Sequence, residues 1–207
     1  MHDADAPQVP FEQMTEDTRT AAPQVSFDDE PLILVDGEDR EIGHAEKWDC
    51  HRGEGLLHRA FSIFLWNGRG ELLLQQRSAE KALWPLIWSN SCCSHPRRGE
   101  TLEGATQRRL REELGLETLL VHVFSFQYHA RWGEVGSERE LCHVYLGRHD
   151  GEVRVNPREV AAHRWVGAQA LEVEIARAPD TLSPWMKLEW ATLRAEHGDT
   201  LSRYLAP

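Results

Sequence analysis

Four groups of side chains in this 207-residue sequence have the types and spacing to do chemistry. Cys93 and His95 lie two apart at the end of an extended, aromatic-rich run that begins at Trp84. Residues two apart on an extended chain face the same way, so thiol and imidazole share one side and Cys92 faces the other. Glu138 and Glu140 repeat that arrangement on a segment that continues through Cys142, Val144 and Leu146. Two carboxylates on a face that runs on as apolar core are costly unless paired or bound to a metal. His51 and His58 stand either side of a glycine-rich bend. With His95, Glu138 and Glu140 they offer three imidazoles and two carboxylates, a donor set suited to Mn2+, Zn2+ or Mg2+ in five- or six-coordinate geometry. The fourth group is the polar face of a helix over residues 101–114, with Arg108, Arg109, Glu112 and Glu113. Each group also has a bland reading. These are a buried cysteine beside a structural histidine, a strand end reaching solvent, incidental histidines, and a surface helix with Arg108–Glu112 and Arg109–Glu113 pairs at (i, i+4).

The elements that must position these groups follow from periodicity and punctuation. The helix has Thr101 as N-cap, Glu103 in its first turn, a buried stripe of Leu102, Ala105, Leu110 and Leu114, and Gly115 as C-cap. Residues 32–43 read as a strand, a turn at Asp36-Gly37 and a return, and residues 58–66 and 71–77 as a hairpin closed by Asn67–Gly70. A helical turn is expected over 78–83. Residues 121–128 alternate with Phe124, Phe126 and Tyr128 on one face. Further strands are expected at 138–146, 153–155 and 162–166, and helices at 167–177 and from Ser183-Pro184 to about residue 196. The whole is α+β, a mixed sheet flanked by helices in a single domain over residues 31–207. Residues 1–30 hold eight acidic side chains and one basic, with prolines and no sustained period. They read as a disordered or loosely ordered arm.

Composition narrows the function classes. A net charge of −11 argues against a general nucleic-acid binder. The chain has no apolar run of membrane-spanning length, and Met1–Asp5 lack the basic and apolar regions of a signal peptide, so a cytoplasmic protein without membrane insertion is expected. Cys50, Cys92, Cys93 and Cys142 make a poor disulfide framework, which leaves the thiols free for chemistry. Monomer and homodimer both remain open.

Ser94, Glu100, Arg108, Glu112, Glu113, Gly115 and Leu116 fall on the skeleton of the Nudix box, G-x5-E-x7-R-E-U-x-E-E-x-G-U, where U is bulky and apolar. Ser94 and Arg109 stand where the box has Gly and its first Glu. The chain from about Ile33 to Arg194 resembles the type I isopentenyl-diphosphate Δ-isomerases, which have the Nudix fold. The resemblance is carried, in order, by Lys47–His51, His58–Ser62, Arg77–Lys81, Trp84 to Pro96 with Cys93 and His95, Tyr128, Glu138-x-Glu140 and Ser183–Trp185. It implies interconversion of isopentenyl and dimethylallyl diphosphates for prenyl synthesis. Cys93 and Glu140 are implied as the acid/base pair, with Tyr128 bonded to the carboxyl and Trp185 facing the cationic carbon. His51, His58, His95, Glu138 and Glu140 are implied as ligands of a first metal, and Glu113 as the holder of a Mg2+ that arrives with the diphosphate. Lys47, Arg77, Lys81 and Arg109 are implied to contact phosphate oxygens. On this reading Arg109 is a phosphate-binding cation standing where hydrolases keep a carboxylate. The rivals are a Nudix hydrolase of nucleoside or prenyl diphosphates and a metal-binding regulatory module without activity.

Overall fold

The computed structural model describes residues 22–205. Among them nine strands form one sheet. A strand β1 (Pro31–Val35) pairs with β2 (Glu41–Glu46), and one helical turn, α1 (Lys47–His51), follows. The centre of the sheet is β3 (His58–Trp66), antiparallel to β4 (Glu71–Arg77) across the expected hairpin. Two short strands, β5 (Trp88–Ser89) and β6 (Cys92–Ser94), precede α2 (Leu102–Leu114). The long antiparallel pair β7 (Leu120–Trp132) and β8 (Gly136–Arg148) leads to β9 (Val160–Gly167). Helices α3 (Ala168–Arg177), α4 (Pro184–Glu196) and α5 (Gly198–Leu205) complete the chain.

Both faces of β3 are buried, and this is why it reads as a nearly unbroken apolar run. Ala60, Phe64 and Trp66 enter one core with Leu171 of α3 and Trp185, Met186, Trp190 and Leu193 of α4. Phe61, Ile63 and Leu65 enter a second core against Ala105, Leu110 and Leu114 of α2. Each fully buried side chain of this size contributes about 1.5–3 kcal/mol. The sheet is therefore clamped between helices, and the strand ends that carry polar residues are held by two independent cores.

The cap signals of α2 are met: Thr101 Oγ1 accepts from Gly104 N at 3.1 Å, and Gly115 takes the left-handed conformation at φ 66°. Both (i, i+4) ion pairs on its polar face form. Three local expectations differ. Residues 78–83 make turns rather than a helical turn, because the chain goes on to bend sharply about Pro85, with Trp84 at φ 48° and Leu86 at φ 59°. Residues 153–155 are not a strand: Arg154 N and Asn156 N instead bond the carbonyls of Leu114 and Glu113 at the end of α2. Ser183 occupies the N-cap of α4 without capping it, since its hydroxyl lies 2.9 Å from Ser89 Oγ. The turn α1 and the helix α5 have no counterpart in the sequence reading.

Residues 1–21 of the expected arm lie outside the described residues. Residues 22–30 are described, and they run along the body of the domain. Asn156 Nδ2 donates to the Pro23 carbonyl at 2.9 Å, and Lys47 N donates to the Glu30 carbonyl at 2.9 Å.

Candidate active site

Strand register brings the sequence-distant groups together. β3 runs parallel to β8 with His58 opposite Glu140, and β8 runs antiparallel to β7 with Tyr128 opposite Glu140. The β6 strand pairs with β3 so that Cys93 lies opposite Ser62. The two-residue period of each strand does the rest: His58 and Ser62, Glu138 and Glu140, and Cys93 and His95 turn to one side of the sheet. His51 arrives from α1. All these groups but His58 and Ser62 line one cavity of about 490 Å3.

At one wall each of His51, His58, His95, Glu138 and Glu140 offers a ligand atom, and these atoms lie within 4.8 Å of one another. The five residues could hold a metal ion. His51 Nδ1 is 2.6 Å from the Lys47 carbonyl and His58 Nδ1 is 2.8 Å from the Leu56 carbonyl. Each Nδ1–H is thus spent on backbone, which orients the ring and turns Nε2 inward. His58 Nε2 and Glu138 Oε2 are buried without a hydrogen bond, although His51 Nε2 stands 2.8 Å from that carboxylate oxygen. Buried donors and acceptors are rarely left so, and a cation among them would satisfy both. Burial, then the neighbouring imidazoles, pull His95 well below its ordinary value, and burial and His51 bring His58 to about 3. Both are therefore neutral, the form that ligates. Burial opposes ionisation of both carboxyls. At Glu138 the His51 imidazole and Arg77 outweigh burial, and the group is held below the usual carboxylate range. At Glu140 burial and the Glu138 charge add, and the group is pushed well above it.

Glu140 joins this wall to the reaction space. Its Oε1 is 2.8 Å from His95 Nε2, and its Oε2 accepts from the Tyr128 hydroxyl at 2.6 Å. Burial and the Glu140 charge push Tyr128 far above 10, so it stays a donor.

The second wall is Cys93. Its thiol donates to Asn90 Oδ1 at 2.8 Å. Trp185 Nε1–H points at the sulfur from 3.2 Å, and Ser62 Oγ donates from 3.6 Å. Burial and the Glu189 charge push the thiol up to about 12, while Ser62, Ser89 and Trp185 pull the other way. The sulfur rests as a thiol and is ringed by groups able to stabilise a thiolate. Arg77 donates to the Leu83 and Trp84 carbonyls, at 2.8 and 3.0 Å, and its guanidinium lies 5.3 Å over the Trp185 ring. Cys92 points into the opposite core. Cys92→Ala should accordingly keep most catalytic activity and cost about 1 kcal/mol of stability, read by thermal melting beside a turnover assay. Activity lost on the scale expected for Cys93→Ala would mean that the faces of β6 are reversed.

The third wall is cationic. Lys47, Lys81 and Arg109 converge there. Burial and the neighbouring Lys81 charge bring Lys47 down to about 8. Arg109 donates to Glu113 Oε1 from Nε at 2.9 Å and from Nη2 at 2.7 Å, and from Nη2 to Glu159 Oε2 at 2.8 Å. Lys81 also pairs with Glu159. Gln75 Nε2 reaches Glu113 Oε2 only at 3.4 Å, so that oxygen keeps acceptor capacity. Glu100 receives Arg108 Nε and Nη2, each at 2.8 Å, and the Arg97 N–H at 2.8 Å, which ties the loop after β6 to α2.

Every residue expected to bind or react is placed by the structure in or beside this cavity. Glu113 acts from behind Arg109 and His58 from the floor between His51 and His95. Sequence reasoning missed Glu159, a lone acid in a loop with no periodic signal. It also missed Glu189, fully buried on α4, with Oε1 3.6 Å from Cys142 Sγ. Glu189 did leave a sign, since it sits on the apolar stripe of α4 between Trp185 and Leu193.

Comparison with known proteins fits this geometry. The NUDIX domain family matches residues 56–188. A crystal structure of a Deinococcus radiodurans protein superposes with a TM-score of 0.60 at 28% identity, covering 72% of this chain and 90% of that one. Sheet, box helix and family match together define a NUDIX-domain protein. Isopentenyl-diphosphate Delta-isomerase 2 of Photorhabdus laumondii is 48% identical over 77% of this chain and 89% of its own length. Isopentenyl-diphosphate Delta-isomerase of Serratia proteamaculans is 42% identical over 86% of this chain and 99% of its own. The chain belongs to the isopentenyl-diphosphate Delta-isomerase family. No helix among the described residues is long and apolar enough to cross a membrane.

Proposed function

We propose that this chain interconverts isopentenyl diphosphate and dimethylallyl diphosphate, feeding prenyl synthesis, by adding a proton to one carbon and removing one from another. The observation that carries the reading is the shared cavity: Cys93 and the Tyr128–Glu140 pair line the same space as Lys47, Lys81 and Arg109. The cationic wall binds the diphosphate, with guanidinium and ammonium groups suited to phosphate oxygens. The C5 tail then extends toward Cys93, Trp185 and Glu140.

Glu140, whose ionisation is opposed by burial and by the Glu138 charge, delivers the proton that converts the alkene to a tertiary carbocation-like state. Tyr128 holds the orientation of that carboxyl through its 2.6 Å bond. Cys93 first releases its own thiol proton to solvent, giving a thiolate stabilised by Trp185 Nε1 and the Ser62 hydroxyl, and this thiolate then takes the proton from the neighbouring carbon. The Trp185 ring also offers its π electrons to the cationic carbon. The proton given and the proton taken are different ones, so each turnover shifts one proton from the Glu140 wall to the Cys93 wall.

His51, His58, His95, Glu138 and Glu140 would hold a divalent ion, Mn2+, Zn2+ or Mg2+, and Glu113 a Mg2+ brought by the diphosphate. Bound there, the cations would supply positive charge that fixes the carboxylates and neutralises phosphate oxygens.

The test is incubation of the purified protein with Mg2+ and isopentenyl diphosphate in D2O, followed by NMR. Dimethylallyl diphosphate carrying deuterium is the expected product. Phosphate release without an allylic product would replace this reading with hydrolysis.

A further inference from the structure

The acidic segment before β1 touches the cationic wall at three points. The Val25 carbonyl accepts from Arg109 Nη1 and from Arg97 Nη2, each at 3.2 Å. Ser26 Oγ bonds Lys47 Nζ. Glu30 Oε1 pairs with Arg97 Nη2 at 2.7 Å, and its Oε2 stands 3.8 Å from Lys47 Nζ. The main chain clamps the same corner, with Lys47 N bonded to the Glu30 carbonyl at 2.9 Å and Trp48 N to the Asp28 carbonyl at 3.0 Å. Ser26, Phe27, Asp28 and Asp29 line the cavity, whereas Glu30 sits behind Lys47, outside the lining.

We propose that residues 23–30 are a fixed wall of the diphosphate pocket, and that Glu30, with Ser26, is a positioning residue that holds Lys47 ready for the phosphate oxygens. The proposal rests on the function given above. Lysine has four rotatable bonds, and immobilising such a side chain on binding weakens affinity. Lys47 also shares its wall with Lys81 and Arg109, whose like charges push it away. Ser26 from one side and Glu30 from behind oppose that push and order the ammonium in advance. Because Glu30 lies behind Lys47, its own charge is set back from the space the diphosphate would fill. The effect belongs to binding: the hydrogen bonds and ion pairs that residues 23–30 make with the rest of the chain go to Arg97, Arg109, Lys47, Trp48 and Asn156, away from Cys93 and Glu140, so KM should move and kcat should not.

The experiment measures isomerisation kinetics and, separately, affinity for inorganic diphosphate with Mg2+ by equilibrium dialysis, in full-length wild type, E30A, S26A, K47A and E30A/K47A. For E30A, KM and the diphosphate dissociation constant should each rise about 10-fold with kcat within twofold. For S26A, which removes one hydroxyl only, a rise of about threefold is expected. E30A/K47A should be no weaker than K47A within twofold, because Glu30 acts through Lys47. Unchanged diphosphate affinity in S26A and E30A overturns the proposal, as does a fall in kcat at constant KM or multiplicative effects in the double variant. If E30A fails to fold, S26A alone decides between the same outcomes. A wild type that binds diphosphate but forms no allylic product would overturn the functional reading, and the dialysis result would still judge the role of residues 23–30.

Discussion

Cys93→Ala is expected to lower kcat by about 10³-fold while leaving the fold and the KM for isopentenyl diphosphate close to wild type. A positioned acid or base contributes typically 10²- to 10⁴-fold, and no group hydrogen-bonded to the Cys93 thiol can take over its role. Asn90 presents an amide oxygen to the thiol, and Ser62 and Ser89 present hydroxyls that are far weaker acids and bases than a thiol. The fold should survive because the neighbours have other partners. Trp185 Nε1 also reaches Ser89 Oγ at 3.0 Å, and Asn90 Nδ2 bonds the Ile63 and Cys92 carbonyls at 3.1 and 3.2 Å. Product formation followed by NMR at saturating substrate, beside a thermal melt, reads both effects. A kcat within tenfold of wild type would remove Cys93 from the proton-transfer chemistry and leave it as a lining residue.

The sequence was most informative where the physics is local. Thr101, the stripe from Leu102 to Leu114 and Gly115 specify α2 within a single turn-by-turn pattern, and the helix forms as read. Alternation likewise told which of Cys92 and Cys93 faces the cavity. What local pattern could not tell was that the faces meet. That depends on the parallel register of β3 with β8, which sets His58 opposite Glu140 across 82 residues of chain. No side chain near either strand encodes that register on its own; resemblance to a family supplied the join.

Where structure and local pattern part, the causes are physical too. Residues 22–30 look loose by composition, yet they pack mainly by offering backbone carbonyls to Asn156, Arg97, Arg109, Lys47 and Trp48. Carbonyl oxygens are the same in every residue, so this kind of adhesion leaves no mark on composition. Residues 153–155 have strand-like valines, but the Arg154 and Asn156 N–H groups are drawn to the open carbonyl end of α2, where unsatisfied acceptors wait. Glu189 shows the converse. A carboxyl on an apolar helical stripe is visible in sequence, and only the packing shows that it is pressed against Cys142 and raised to about 7 by burial, with Ser62 and Cys142 opposing.

Glu140→Gln should be the more damaging of the two wall substitutions, because one carboxyl serves two structures. As an amide it can no longer deliver a proton, which by itself predicts a kcat loss of about 10³-fold. It also replaces one carboxylate oxygen of the five-residue cluster with an NH2 group, a donor that cannot ligate a cation. Because Oε1 faces His95 at 2.8 Å and Oε2 faces Tyr128 at 2.6 Å, the single amide oxygen can serve only one of these two sides, and the other loses its acceptor oxygen. Divalent-ion affinity should therefore fall about 10- to 100-fold, the range seen when the groups around a metal site are altered. Tyr128→Phe separates the two roles. It removes only the hydroxyl bonded to Oε2 and leaves all five ligating residues in place. Its kcat should drop by about 10-fold, with metal affinity falling far less than in Glu140→Gln. Calorimetric titration of Mn2+ into each variant, alongside turnover at saturating metal, distinguishes the cases. If Glu140→Gln bound Mn2+ as tightly as wild type, Glu140 would not belong to the metal cluster. If it kept more than a tenth of wild-type kcat at saturating Mn2+, the proton would have to come from another group on that wall, and Tyr128, the nearest remaining O–H, would be the first to test.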